Sequence, residues 1–155
     1  MAIKSKRIGE QVSRNTLGRI RVLNNSGVAI AKGDILSVAS VSASGGHLTV
    51  IKADADEASG VRCDGMKLVA DHDIATGTTG IAVDWAIVDG DTSLLATGDE
   101  LYLDNGVNAG GWVPVGGKMP AAGDHYTAIV GQVVGAPAVE GKVLLAPQKW
   151  REVLT

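Results

Sequence analysis

A chain of 155 residues with 45% hydrophobic and 20% charged side chains has the composition of one folded domain, which excludes wholesale disorder. Its lone Cys63 forbids an internal disulfide and a Cys-rich metal site. No apolar run reaches membrane-spanning length, and the start Met1-Ala-Ile-Lys-Ser-Lys-Arg7 lacks the apolar stretch of a secretory signal, so a soluble, reducing setting without a membrane partner is expected. Glycine is frequent at 21 residues, aromatics reach only 3% and phenylalanine is absent. That balance favours tight turns around a core of Val, Ile, Leu and Ala.

The net charge of −3 conceals a polarity. Residues 1–23 hold Lys4, Lys6, Arg7, Arg14, Arg19 and Arg21 against Glu10 alone, while no Lys or Arg stands between Lys67 and Lys118. In the arm, Ile3, Ile8, Val12, Leu17 and Ile20 keep no helical period, and Gly9 and Gly18 interrupt them. The pattern predicts an extended basic arm over 1–25, a β-rich domain over 26–147 and a tail over 148–155. A basic arm ahead of an acidic body points to a protein partner. It lacks an aromatic residue for base stacking, and the body would repel phosphate, so nucleic acid is not the expected partner.

From residue 19 onward, short Val/Ile/Leu-rich segments alternate with Gly, Asp, Asn and Ser. They predict strands over 19–23, 34–41, 47–53, 60–63, 66–70, 80–88, 100–103, 111–115, 126–134 and 142–146. Residues 148–154 fit one helical turn or a tail strand. Successive strands without helical units define an all-β chain, a barrel or a sandwich, with an extended N-terminal arm. One tetrapeptide recurs ahead of strands: Ala31-Lys-Gly-Asp34, Ala96-Thr-Gly-Asp99 and Ala121-Ala-Gly-Asp124. Its glycine suits the positive φ of a turn, and its aspartate can accept from nearby backbone amides.

No pattern of residues builds catalytic chemistry. His47, His72 and His125 share no ligand spacing, and Asp71-His72-Asp73 without a second cluster reads as a polar turn rather than a metal site. Asp54-x-Asp56-Glu57 begins like a calcium loop, but Ala58, Ser59 and Gly65 stand where further ligands belong. Cys63 has no activating neighbour, and Thr76–Gly80 and Gly110–Pro114 lack the Lys-Ser/Thr of a phosphate loop. Neither cofactor nor metal is expected. Gly80-Ile-Ala-Val-Asp-Trp85 distantly resembles the aspartate motif of trimeric dUTP hydrolases, but that family's Pro-Arg-Ser and Gly-Phe-Gly motifs are missing.

Four segments taken in order carry a wider likeness. They are Gly27-Val-Ala-Ile-Ala-Lys-Gly-Asp-Ile-Leu-Ser-Val38, Ala96-Thr-Gly-Asp-Glu-Leu-Tyr-Leu-Asp-Asn-Gly106, Ala128-Ile-Val-Gly-Gln-Val-Val-Gly135 and Gly141-Lys-Val-Leu-Leu-Ala146. Their order over residues 26–146 resembles that of tailed-bacteriophage head decoration proteins, also called capsid cement proteins. The resemblance implies a compact β-barrel or β-tulip-like domain, a virion protein on the outer capsid surface and a homotrimer that stabilises the expanded shell by bridging major capsid protein subunits. It implies contacts from the arm: Lys4, Lys6, Arg7, Arg14 and Arg19 to carboxylates, and Ile3, Ile8 and Leu17 to apolar surface. Trp150, just past the last strand, is a further candidate contact, whereas Trp85 inside an apolar strand is expected to fill the core. The competing readings are a tail or fibre β-domain that binds host glycan, with Trp112 and Tyr102 starting an aromatic platform, and a small all-β hydrolase.

Overall fold

The computed structural model describes residues 18–41, 46–55, 66–104, 108–114, 126–135, 140–147 and 152–154. Among them lie eleven strands: β1 Arg19–Asn24, β2 Ile35–Val41, β3 Leu48–Lys52, β4 Lys67–Ala70, β5 Thr79–Val83, β6 Ala86–Gly90, β7 Glu100–Leu103, β8 Trp112–Pro114, β9 Tyr126–Gly135, β10 Gly141–Leu145 and β11 Glu152–Leu154. There is no α-helix among the described residues. The chain is all-β, as its segment pattern predicts.

The first five strands close into a barrel ordered β1-β3-β2-β4-β5, with β5 returning to β1. The β1/β3 pair is parallel and the others are antiparallel. The remaining strands form a second sheet ordered β6-β10-β9-β7-β8, and β11 pairs with the start of β9. Residues 19–24, which the sequence placed at the end of the arm, are therefore a stave of the barrel with both edges paired.

Period-two alternation sorts the apolar side chains into two cores. Val22, Leu36, Val50, Leu68 and Ala82, one from each stave, fill the barrel with Ile30, Ala70 and Ile74. Ile30 and Ile74 form an isolated antiparallel bridge, a pairing that the sequence did not signal. The second core lies between barrel and sheet. Ile35, Ala53, Ala55 and Val69 meet Leu101, Leu103, Val130, Val133, Val143 and Leu145 there. Strands β2 and β4 thus supply both cores, Leu36 and Leu68 to one and Ile35 and Val69 to the other.

Two copies of the recurring tetrapeptide make the same turn twice. The Asp34 N–H donates to the Ala31 carbonyl (3.0 Å) while its carboxylate accepts from the Ala31 N–H (2.9 Å). Asp99 and Ala96 repeat this at 3.1 and 2.9 Å. Gly33 (φ +87°) and Gly98 (φ +100°) occupy the left-handed corner that L side chains avoid. Each turn also clamps a neighbouring strand. The Gly33 N–H donates to the Ala70 carbonyl and the Ala70 N–H returns to the Asp34 carbonyl. Gly98, Val133 and Asp99 reproduce the exchange. The third copy, Ala121–Asp124, lies outside the described residues, as does the predicted strand 60–63.

Replacing Asp99 with alanine removes one charge-assisted bond, and a loss of about 1 kcal/mol is expected. Asp34→Ala should cost more, because Asp34 also pairs with Lys52 at 3.0 Å in a mostly buried position. Urea unfolding checks this as a lower midpoint at unchanged slope for both variants, with Asp34→Ala the lower.

One expectation about the strands changes. The single strand predicted over 80–88 divides into β5 and β6, because the chain bends at Asp84 and leaves the barrel for the sheet. The apolar run Ile81-Ala-Val-Asp-Trp-Ala-Ile-Val88 conceals that break, since one aspartate in a strand is ordinarily tolerated on a solvent face. Of the tail, left open between a helical turn and a strand, the described residues 152–154 form β11.

Candidate functional site

Of the site residues expected from sequence, Arg19 alone falls within the described residues; Ile3, Lys4, Lys6, Arg7, Ile8, Arg14, Leu17 and Trp150 lie outside them. Arg19 opens β1 opposite Val83, and its guanidinium meets the Asp71 carboxylate at 3.1 Å. Both side chains are well exposed, so the pair contributes little to stability.

The most unusual surface surrounds β6, the end strand of the second sheet. One edge of β6 pairs with β10, and among the described residues nothing pairs with the other. The residues between Asp84 and Leu95 expose three large apolar side chains: Trp85 at 55%, Ile87 at 57% and Leu94 at 96%. Trp85 therefore does not fill the core. The bend at Asp84 places it in the joint between barrel and sheet, where no continuous strand covers it.

The rest of this surface is polar and acidic. Ile87 and Asp89 alternate on the outer face, and Asp89 contacts the Lys142 ammonium on β10. Beyond β6, Asp91 accepts from the Ser93 hydroxyl (2.6 Å) and the Ser93 N–H (3.0 Å). Those two bonds, the hydroxyl first, hold the Asp91 carboxyl below the usual carboxylate range. Trp112 on β8, at the other end of the sheet's strand order, packs against the second core and over Gly90, where a Cβ would stand 2.6 Å from the indole ring.

Two shallow clefts flank the strand. One, of about 230 Å³, is lined by Lys32, Ile87, Val88, Asp89 and Lys142. The other, of about 140 Å³, is lined by Asp91, Ser93, Leu94, Leu95 and Trp112. Neither brings a nucleophile beside a histidine. No group of three or more His, Cys, Asp or Glu side chains gathers as a metal site among the described residues.

The Asp71-His72-Asp73 segment is a turn fastened to the main chain. His72 Nε2 accepts the Ile81 N–H at 3.0 Å, which leaves the ring proton on Nδ1 to donate to the Asp73 carbonyl at 2.8 Å. Both ring nitrogens are thus used within the fold. Trp112 and Tyr102 are both half-buried, and among the residues whose exposure is described the exposed aromatic side chain is Trp85 instead.

Sequence reasoning missed the β6 edge because its residues look like the middle of a buried strand. The signal that could have found it is the polarity of the stretch itself: Asp84, Asp89 and Asp91 within eight residues fit an exposed edge better than a covered strand. Comparison with protein-family models, curated proteins and solved structures found no match to this chain.

Proposed function

We propose that this chain is a structural virion protein that decorates the outer surface of an expanded tailed-phage capsid and stabilises it by bridging major capsid protein subunits as a homotrimer. The observation that carries the reading is the β6 edge: Trp85, Ile87 and Leu94 stand exposed beside a strand edge with no partner among the described residues. Such a surface suits broad protein contact, whether by burial of aromatic anchors or by addition of a strand. The four-segment likeness to head decoration proteins supplies the partner. The basic leader supplies a second contact of opposite charge to the acidic stretch of the body. A protein of this kind needs many modest contacts made together, and three linked copies turn weak single contacts into avidity.

The test is co-sedimentation of the purified chain with expanded heads stripped of their decoration. Saturable binding at a fixed ratio to capsid subunits, with greater heat resistance of the loaded heads, is the expected result. Absence of binding to intact expanded heads would overturn the reading.

A further inference from the structure

The turn after β6 breaks a rule that its own neighbours keep. Asp91, Thr92 and Ser93 are residues that turns favour, and each is used. The Asp91 carboxylate accepts from the Ser93 N–H and hydroxyl through the same Oδ1 atom, and the Leu95 N–H closes the turn on the Thr92 carbonyl at 3.0 Å. Leu94 stands at the corner of that turn, 96% exposed, where a polar residue or glycine is the ordinary choice. The corner is fastened on both sides. Upstream, Thr92 is fully buried and its hydroxyl donates to the Gly135 carbonyl at 3.0 Å, with Gly141 so close that a Cβ there would overlap it. Downstream, Leu95 packs against the second core, and the Ala96–Asp99 turn clamps Val133. The fold thus holds an apolar side chain out in water on a fixed main chain. A local rule broken so without gain to the fold marks a place where function is served.

We infer that Leu94 anchors the contact on this side of the molecule by entering an apolar pocket with a cationic rim on the protein partner. The inference rests on the decoration reading, in which that partner is the capsid subunit. A single side chain at the apex of a tight turn fits a recess better than a flat face. Because the main chain beneath it is already fixed, little ordering is left to oppose binding. Leucine is not a common hot-spot residue; its weight here comes from that order and from the large change in exposure on docking. The cleft of about 140 Å³ between Asp91, Ser93, Leu94, Leu95 and Trp112 leaves room for the lip of such a pocket. The cationic rim follows from charge. Asp91 commits Oδ1 to Ser93, which leaves Oδ2 open to accept from a Lys or Arg. The bonds from the Ser93 hydroxyl and N–H also favour the charged form of the carboxyl. Leu94 stands beyond the end of β6, so its docking does not compete with contact along that strand's edge.

Co-sedimentation of the full chain and two variants with stripped, expanded heads tests it. In Leu94→Ser the new residue suits the corner of the turn, and the lost side chain gave the fold almost no buried surface. Its melting point should therefore stay within about 2 °C of the wild type, while its affinity for heads falls at least about thirtyfold, the hot-spot range. Asp91→Asn keeps an oxygen for both Ser93 bonds and removes the charge. It should weaken binding about threefold at low ionic strength, with the difference gone at about 1 M salt. Wild-type affinity in Leu94→Ser would overturn the anchor and leave the decoration reading in place. A larger drop in its melting point would overturn it too, by showing Leu94 packed rather than presented. No deficit in Asp91→Asn, or one that persists in high salt, would overturn the cationic rim. Absence of wild-type binding would overturn the decoration reading and the anchor with it.

Discussion

A variant lacking residues 2–17 is expected to unfold in one cooperative transition and to bind expanded heads at least about a hundredfold more weakly than the full chain, the scale of avidity lost when one of several linked contacts is removed. The boundary of the deletion matters. Strand β1 begins at Arg19, and Gly18 holds the Asp84 N–H, so a cut before Gly18 leaves every barrel ladder in place. A cut that also removes Arg19 and Ile20 would strip the partners of Val83 and Ala82 and open the seam of the barrel; lost binding would then report unfolding. Far-UV circular dichroism and the melting curve verify that the shorter deletion is folded, and co-sedimentation gives the functional answer. Full binding by the folded truncation would remove the leader from the proposed mechanism and leave the β6 surface to account for it.

Asn24→Ala is expected to destabilise the domain by about 3 kcal/mol, because one buried side chain makes four hydrogen bonds, each worth roughly 0.5–1.5 kcal/mol. Asn24 ends β1 and is completely buried. Its Nδ2 donates to the Val28 and Ile74 carbonyls, both at 2.9 Å, and its Oδ1 accepts from the Ser26 N–H (2.9 Å) and hydroxyl (2.7 Å). One side chain therefore fastens the turn after β1 to the segment before β5. Alanine removes all four bonds and leaves the Ile74 carbonyl with the Ile30 N–H as its remaining donor. For a chain of this size the loss corresponds to a melting point lower by about 10 °C. Thermal unfolding followed by circular dichroism measures it, and a change below about 2 °C would show that water or a rearranged turn replaces the amide.

The strands were legible where alternation and turn chemistry agree. Predicted segments 34–41, 66–70 and 100–103 lie on β2, β4 and β7, and the Ala-x-Gly-Asp turns form at both described copies as their residue types require. Closure was not legible. Nothing in a list of strands says that β1 pairs in parallel with β3 and antiparallel with β5, since that choice depends on contacts far apart in sequence. Asn24 read as an ordinary turn residue, because burial of an asparagine is decided by which carbonyls the fold brings to it. Trp85 was misplaced for a related reason: its apolar neighbours promised a covered strand, and the bend at Asp84 took the cover away. The charged leader was visible as a pattern from the start, whereas the surface beside its root at Gly18 emerged only with the barrel.

The strands shared between barrel and sheet face a problem that ordinary alternation does not solve. A strand with one wet face cannot slide by one residue without exposing its apolar set. Ile35, Leu36, Leu68 and Val69 are all fully buried, so at these four positions a one-step slip of β2 or β4 keeps apolar surface on both sides, and only the neighbouring Ser37 and Lys67 change their surroundings in kind. Solvent exerts no veto over that error. The veto comes from the Ala31–Asp34 turn, where Gly33 and Asp34 grip both main-chain groups of Ala70 and count the residues of β4 against those of β2. Alignment here is set by a latch at the strand's end rather than by the oil-and-water pattern along its length.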